Sequence, residues 1–211
     1  MPSRPRVSIL YRDHHVAIAD VLGRAFVDDP LICAILPPGL TPAERVRRMT
    51  VLFATMLAEH HGIRQPLVGV IDNGRVIAGA LVENVSAPTP ALSEIIHGLG
   101  AIPTMLRALG MAGIKRALAT HDILKRNRPA EPHIYLNVLG VDPDFHGRGC
   151  GGAILEWLRD QTIDRPDLAG VYLETARESN VGYYNRFGYR LIGEINPIGV
   201  RTWRMLQPRT S

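Results

Sequence analysis

The chain has 211 residues, of which 46% are apolar, and its 24 Lys and Arg against 20 Asp and Glu give a formal net charge of +4. A chain of this length buries about 70% of its unfolded surface as one domain, and its two cysteines, Cys33 and Cys150, exclude a disulfide framework and suit the reducing cytoplasm. No stretch of about 18 residues lacks both charge and proline, and the cations form no single basic block, so neither a membrane nor a nucleic acid is expected as a partner.

The first half of the chain predicts a strand, two helices and a hairpin. The residue before a proline avoids the helical region, so the first helix should end before Pro30. Thr41-Pro42-Ala43-Glu44 has the cap, the first-position proline and the acidic first turn of a helix start. Asn73-Gly74 supplies the positive φ angles of a tight hairpin turn. The predicted elements are a strand at 6–11, helices at 14–27 and from Thr41 to Gly62, and two strands joined at Asp72-Asn73-Gly74.

The second half alternates helices and strands. Residues 133–141 form an almost continuously apolar run, as expected for a strand buried on both faces. The other predicted elements are a helical segment at 91–127, helices at 151–161 and 180–187, and strands at 170–176, 189–195 and 200–206. The pattern predicts one α/β (α+β) domain over 6–208, with a helical insertion at 86–132 that covers one sheet face or forms a substrate lid.

A glycine-rich loop follows the apolar strand and precedes a helix, in the stretch Val141-Asp142-Pro143-Asp144-Phe145-His146-Gly147-Arg148-Gly149-Cys150-Gly151-Gly152. Consecutive backbone amides at a helix N-terminus form a site for a phosphate. Gly147, Gly149 and Gly152 also satisfy the dinucleotide pattern GxGxxG, with Glu174 as a ribose-binding acid. However, five residues separate Val141 from Gly147 and too few βαβ units follow, so a nicotinamide oxidoreductase is the less favoured interpretation.

The stretch VDPDFHGRGCGGAIL resembles the acetyl-CoA loop of the GCN5-related N-acetyltransferase (GNAT) family, whose pattern Gln/Arg-x-x-Gly-x-Gly/Ala falls on His146, Gly149 and Gly151. His146 stands where the family has Gln or Arg. The stretch NVGYYNRFGY resembles the family's second signature and places Tyr184 at its tyrosine. Shorter stretches such as AFVDDP and RTWRM are similar to the puromycin-acetylating branch of the family.

The resemblance implies a central mixed, mostly antiparallel sheet of six or seven strands flanked by helices. Acetyl-CoA, as co-substrate, would lie between splayed strands at 134–141 and 170–176, with no metal involved. The residues expected to bind it are Leu139, Gly140, Val141, His146, Gly147, Arg148, Gly149, Cys150, Gly151, Gly152 and Asn180. Asn180 could instead only cap its helix, and Cys150 could serve packing alone.

The resemblance also implies direct transfer of the acetyl group to a primary amine. An alkyl ammonium has a pKa of about 10, so a base must remove its proton. Tyr184 is the expected proton donor to the thiolate, although it could simply pack in the core. Glu174 is the first candidate for the base and Glu83 the second, while Asp28 or Asp29 could line the substrate entrance. A structural role for Glu174 is an open alternative.

The expected acceptor is a small-molecule amine, drug-like or metabolic. The alternatives are an amine of a protein or peptide, or an acyl-CoA-binding module without catalysis. The closing strands at 189–195 and 200–206 could exchange or pair between subunits, which would make a homodimer.

Overall fold

The computed structural model describes residues 5–62, 65–85 and 91–209, and only the backbone at 59, 61, 62 and 91–102. The strands are β1 (Val7–Ile9), β2 (Leu67–Asp72), β3 (Arg75–Asn84), β4 (Ile134–Val141), β5 (Gly170–Thr175), β6 (Arg190–Ile195) and β7 (Thr202–Pro208). The helices are α1 (His15–Ala25), α2 (Pro30–Ile35), α3 (Pro42–Gly62), α4 (Ala91–Arg126), α5 (Cys150–Asp160) and α6 (Glu178–Asn185).

The strands form one seven-stranded sheet in the order β1-β2-β3-β4-β5-β7-β6. Every neighbouring pair of described strands is antiparallel except β4 and β5, which are parallel. This confirms the predicted mixed, mostly antiparallel sheet flanked by helices. It also differs from the parallel, doubly wound sheet of dinucleotide-binding folds, which argues against the oxidoreductase interpretation.

Two helices in the first half of the chain begin with a capping residue followed by proline. At α3 the Glu44 amide donates to the Thr41 Oγ1 at 3.3 Å, so Thr41 is the cap that the sequence predicts. The Thr41 amide donates in turn to the Glu44 carboxylate at 2.9 Å, which completes a capping box. The short helix α2 was not predicted. It begins in the same way, because the Asp29 carboxylate accepts from the amides of Leu31 and Ile32 at 3.1 and 3.0 Å and Pro30 follows at the first helical position.

The predicted hairpin joins β2 and β3 at Asn73 and Gly74, whose φ angles are 49° and 76°. Its second strand continues across the sheet as the antiparallel neighbour of β4. The pairing shifts register between Leu81 and Val82, opposite residues 136–138 of β4. A bulge of this kind places two adjacent side chains on one face, here Asn137 and Val138.

Each sheet face has its own apolar core. On one face α5 and α6 pack over residues such as Val171, Leu173 and Met205. On the other, α1, α3 and α4 pack over Leu67, Leu81 and Val138 of the sheet. The candidate site lies between the neighbouring strands β4 and β5, where the sheet separates the two cores.

The sequence pattern of residues 91–127 predicts helix broken by its glycines and by Pro103. The helix α4 runs through Pro103 and is interrupted at one of the glycines, Gly110. Gly110 has φ 67° and ψ 171°, a conformation outside the helical region. The carbonyl groups of the turn before Gly110 therefore lack their usual intrahelical partners.

Candidate active site

The two parallel strands β4 and β5 separate soon after they meet. Their register contains two residue pairs, Ile134 with Val171 and Tyr135 with Tyr172. Beyond them β4 stays paired with β3 as far as Val141, and β5 stays paired with β7 as far as Thr175. The structure therefore has a gap in the sheet between residues 136–141 and 173–175, within the two strands that the family resemblance implied to be splayed.

Backbone groups of β4 point into this gap. The Asp142 amide donates to the Ile77 carbonyl of β3 at 2.8 Å, and the direction of backbone groups alternates along a strand. The amides and carbonyls of Leu139 and Val141 consequently face away from β3, towards the gap. Gly140 faces α1, where an added Cβ would lie 2.6 Å from Leu22.

The glycine loop starts at the wide end of the gap. After a 3-10 turn at Pro143–Phe145 the chain turns through Gly147 and Gly149, with φ angles of 76° and 79°. The first intrahelical hydrogen bond of α5 runs from the Ala153 amide to the Gly149 carbonyl at 2.9 Å. The amides of the three residues before Ala153 precede this bond, so they have no acceptor within the helix and carry the positive end of its dipole.

Small residues keep the first turn of α5 close to α6. A Cβ at Gly151 would lie 2.9 Å from the Tyr183 hydroxyl, and one at Gly152 would lie 2.8 Å from the Phe187 ring. The side chain of Cys150 is 2% exposed, and burial raises the pKa of its thiol. The thiol of Cys150 packs in the apolar core on this face of the sheet.

His146 and Arg148 are the two side chains of the loop that carry nitrogen atoms. The His146 Nε2 lies 3.1 Å from the Val141 carbonyl, which can only accept, so Nε2 carries the proton. In the neutral ring Nδ1 then has no hydrogen, and a bond from His146 to an anion would need the imidazolium. Arg148 stacks on the Phe145 ring at 4.6 Å and is mostly exposed, so its guanidinium can turn to a phosphate.

Asp142 fixes the loop to the rest of the fold, a role that the sequence did not reveal. Its fully buried carboxylate accepts from Arg24 at 3.0 and 2.8 Å, from Arg75 at 2.7 Å and from the Asp144 amide at 3.2 Å. Burial alone would raise the pKa of Asp142, but the Asp144 amide and the two guanidinium groups lower it below its usual value. The end of β4 is thereby tied to α1 and to the β2–β3 hairpin.

Tyr184 lies in α6 and belongs to the core beneath α5. Its ring contacts those of Tyr183 and Tyr189, each at a centroid distance of 5.6 Å. Burial raises the pKa of Tyr184, and the neighbouring Tyr183 and Asp29 raise it further. Its hydroxyl therefore keeps its proton at neutral pH, as a proton donor must.

Glu174 is held by the side chains of two tyrosines. The Tyr172 hydroxyl donates to its Oε1 at 2.9 Å, and the hydroxyl of Tyr135 lies close enough to the same carboxylate to lower its pKa. Burial raises the pKa of Glu174, although these hydroxyls and the guanidinium groups of Arg128 and Arg204 act in the opposite direction. The carboxylate is thus both a better base than an exposed glutamate and firmly oriented.

Glu83 belongs to the same group of side chains. Its two carboxylate oxygens accept from Asn137 at 2.7 Å and from Arg128 at 3.2 Å. The Arg128 guanidinium lies 3.7 Å from the centre of the Tyr135 ring, which connects Glu83 to Glu174. We call Glu83, Arg128, Tyr135, Asn137, Tyr172 and Glu174 the carboxylate cluster.

The two predicted catalytic residues lie on opposite faces of the sheet. Leu173 shares the core of Tyr184, and Glu174, the next residue of β5, points to the other face because side chains alternate along a strand. The gap between β4 and β5 opens the sheet between these faces. A molecule in the gap can therefore be approached from the Glu174 side and from the Tyr184 side.

The remaining predicted site residues have structural contacts. Asn180 donates to the Thr175 Oγ1 at 3.2 Å and so ties α6 to the end of β5. Asp28 is exposed and pairs with Arg45 at 2.8 Å. Asp29, besides capping α2, carries a charge that raises the pKa of the Tyr184 hydroxyl.

The described part of the chain holds no group of three His, Cys, Asp or Glu side chains arranged to bind a metal ion. Nor does any helix among the described residues have the length and apolarity needed to cross a membrane.

The split sheet, the glycine loop at a helix N-terminus and the buried tyrosine define the class of protein that the sequence motifs predicted, the N-acetyltransferases. The chain matches the acetyltransferase (GNAT) family over residues 33–189. It belongs to this family, whose co-substrate is acetyl-CoA.

Known proteins resemble it in part of the sequence or in fold. A stretch of 59 residues is 41% identical to mycothiol acetyltransferase of Propionibacterium freudenreichii, but it spans 26% of this chain and only 18% of that relative. The structure of a protein from Corynebacterium glutamicum described as "histone acetyltransferase HPA2 and related acetyltransferase" superimposes with a TM-score of 0.72 at 22% identity, covering 99% of this chain and 98% of that one. Arylalkylamine N-acetyltransferase 2 of Aedes aegypti gives 0.55 at 15% identity, covering 97% and 98%.

Proposed function

We propose that this protein transfers the acetyl group of acetyl-CoA directly to a primary amine, and that the reaction takes place in the gap between β4 and β5. The observation that carries this proposal is the separation of the two strands after two residue pairs, directly beside the glycine loop. When bound, acetyl-CoA supplies an activated acetyl group as a thioester.

The residues around the gap fit such a ligand. The gap-facing amides of Leu139 and Val141 and the Leu139 carbonyl match the amide groups of a pantetheine chain, in the way that a free strand edge binds an extended peptide. The Val141 carbonyl already accepts from His146. The amides from Gly147 to Gly152 and the exposed Arg148 suit its pyrophosphate. Asn180 and Gly140 lie at the borders of the same gap.

The carboxylate cluster supports deprotonation of the amine. A primary ammonium with a pKa near 10 is only about 0.1% neutral at pH 7, so a base is required. The raised pKa of Glu174 supports its assignment as the base, because a carboxylate with a higher pKa takes up a proton from an ammonium more readily. We assign Glu174 as the base, acting on the amine directly or through water.

Tyr184 supports protonation of the departing thiolate from the opposite face. The apolar surroundings that raise the pKa of this tyrosine also disfavour a thiolate beside it, so proton transfer between the two groups remains nearly balanced. We assign the Tyr184 hydroxyl as the proton donor.

We propose a small-molecule amine as the acceptor, as expected from the stretches similar to the puromycin-acetylating branch. The carboxylate cluster is recessed, since the side chains of Arg128 and Glu83 are 15% and 23% exposed, and a slender amine reaches it more easily than a folded protein. A protein or peptide amine is the second candidate, and the histone acetyltransferase named for the Corynebacterium structure favours it.

The test is a turnover screen with acetyl-CoA, in which a panel of small primary amines and a panel of peptides with free N-termini and lysines are compared. CoA release and the mass of the acetylated product are both measured. Product from a small amine supports the proposal. Product from peptides alone overturns the acceptor class, and binding of acetyl-CoA without any product would leave a binding module.

The compartment and the oligomeric state are each proposed from a single observation. Cys33 and Cys150 are free, which supports the cytoplasm as the compartment. The edge strand β6 exposes Leu191 and Ile192, which supports a homodimer formed through the closing strands.

A substitution at Gly149 should weaken acetyl-CoA binding. Alanine in the left-handed conformation costs about 1–2 kcal/mol, and relief of that strain would turn the first amides of α5 away from their common direction. We expect Gly149→Ala to raise the Kd of acetyl-CoA by about tenfold, the equivalent of one charge-assisted hydrogen bond. Isothermal titration calorimetry measures this change.

Gly39→Ala is the matched control, because Gly39 has φ 78° and the same open space around a new Cβ as Gly149. It should lose similar stability and keep the affinity for acetyl-CoA. Equal affinities in the two variants would contradict a role for the glycine loop.

The pH dependence of kcat/KM should show the titration of Glu174. The carboxylate accepts a proton only when ionised, and burial raises its pKa, so activity should fall as the pH drops through a pKa above the ordinary glutamate value. In Glu174→Gln this acid limb should disappear and kcat should fall by about 10²-fold. Glu194→Gln, an exposed carboxylate paired with Arg201, should leave the profile unchanged, and an unaltered profile in Glu174→Gln would assign the base elsewhere.

A further inference from the structure

A cavity of about 350 Å³ lies between α3 and α4, the helices that cover the sheet face opposite α5. From α3 it is lined by Glu44, Arg47, Arg48 and Val51. Residues spaced by three, four and seven positions share one helix face, so these four side chains form a continuous wall. The proposed reaction uses none of them.

The opposite wall comes from α4, which contributes Thr104 and Arg107 together with the backbone near Ala108. The interruption of α4 at Gly110 leaves carbonyl groups of the preceding turn free to bind a side chain from α3. The carbonyls of Arg107 and Ala108 accept from the Nη1 of Arg48 at 3.2 and 2.6 Å. Arg48 is thereby held across the cavity, and its remaining N–H groups are in a fixed position.

The charges in the cavity are unbalanced. Three guanidinium groups face a single carboxylate, that of Glu44, and this carboxylate already accepts from the Thr41 amide at 2.9 Å and the Thr41 hydroxyl at 2.7 Å. Within residues 5–62, 65–85 and 91–209, the side chains of Arg47 and Arg107 form no ion pair and no hydrogen bond. The lining therefore offers many hydrogen-bond donors and few acceptors. Its three guanidinium groups and one carboxylate leave two positive charges without a counter-charge.

We propose that this cavity binds a small dianion through its oxygens, of the class of phosphate monoesters and dicarboxylates. Guanidinium groups form paired, charge-assisted hydrogen bonds with both kinds of oxyanion. Arg47 and Arg107 come from different helices, so one dianion can neutralise both charges and join α3 to α4. The Thr104 hydroxyl and the held Arg48 add further donors.

The experiment titrates inorganic phosphate and, separately, malonate into the full-length protein by calorimetry. Saturating CoA is present throughout, so that phosphate does not occupy the glycine loop. The test variant is Arg47→Gln/Arg107→Gln, which leaves the anchored Arg48 in place. The control variant is Lys115→Gln/Lys125→Gln, which removes the same charge from exposed positions of α4.

We expect at least one of the two anions to bind the unaltered protein and the control with equal affinity, and to bind the test variant about 10²-fold more weakly, since two charge-assisted interactions are lost. The bound anion should also raise the Tm of the unaltered protein and of the control variant, but not that of the test variant. Failure of both anions to bind, or equal binding by the test and control variants, would overturn the proposal. Both comparisons hold whether or not the protein acetylates amines.

Discussion

Replacement of Tyr184 by phenylalanine should lower kcat by about 10²- to 10³-fold, the range typical for loss of a general acid. The ring and its contacts with Tyr183 and Tyr189 remain, so the affinity for acetyl-CoA and the Tm should stay close to those of the unaltered protein. Steady-state kinetics with a productive amine and calorimetry with acetyl-CoA measure the two quantities separately. A fall in kcat without a change in Kd would assign the hydroxyl to the chemical step.

Tyr189→Phe is the matched control for this variant. Tyr189 packs against Tyr184 and is 2% exposed, and its hydroxyl has no hydrogen-bond partner among the described residues. Its removal should leave kcat unchanged. If Tyr184→Phe kept full activity as well, Tyr184 would be a core residue and the proton would come from another group.

Replacement of Asp142 by alanine should cost about 3 kcal/mol of unfolding free energy, near the lower end for removal of one partner from a buried ion pair. The buried carboxylate joins Arg24 of α1 and Arg75 of β3 at the end of β4, and these side chains are partly exposed, so water offsets some of the loss. Urea unfolding at neutral pH measures the change. Asp144→Ala is the control, because its carboxylate is 75% exposed and 3.8 Å from Arg24, and it should cost less than about 0.5 kcal/mol.

The same group gives a pH dependence of stability. The pKa of Asp142 is lower in the folded protein than in the unfolded chain, so its contribution is fully present above the unfolded value of about 3.9 and is lost as the pH falls through the lower, folded pKa. The stability difference between the unaltered protein and Asp142→Ala should therefore shrink in that acidic range. A difference that stayed constant down to pH 2 would show that Asp142 acts by packing alone.

Much of the fold follows from local patterns in the sequence. Asn73-Gly74 requires a tight turn, and Thr41-Pro42 with Glu44 requires a helix start, whatever the rest of the chain does. Asp29-Pro30 has the same physical signature as Thr41-Pro42. In the sequence Asp29-Pro30 predicts only the end of α1, because the six residues of α2 are too few to show a helical period.

The composition of the active site depends on contacts that no local pattern contains. Tyr135 of β4 lies beside Tyr172 and Glu174 of β5 because the two strands pair in one particular register, and a shift by one residue would put Tyr135 on the opposite sheet face from the other two. Arg128 reaches Glu83 from the end of α4, 45 positions away. The sequence predicted both glutamates, but the cluster that joins them depends on tertiary structure.

The short contact between β4 and β5 divides the molecule mechanically. Strands β1 to β4 form one block of the sheet and strands β5 to β7 form another, and only two residue pairs connect them. Few backbone hydrogen bonds therefore resist a twist of one block relative to the other. A ligand that fills the gap replaces the missing hydrogen bonds between β4 and β5, as an additional strand would. Amide hydrogen exchange at Leu139 and Val141, whose N–H groups face the gap, should therefore slow when acetyl-CoA binds, and the two blocks should then move as one body.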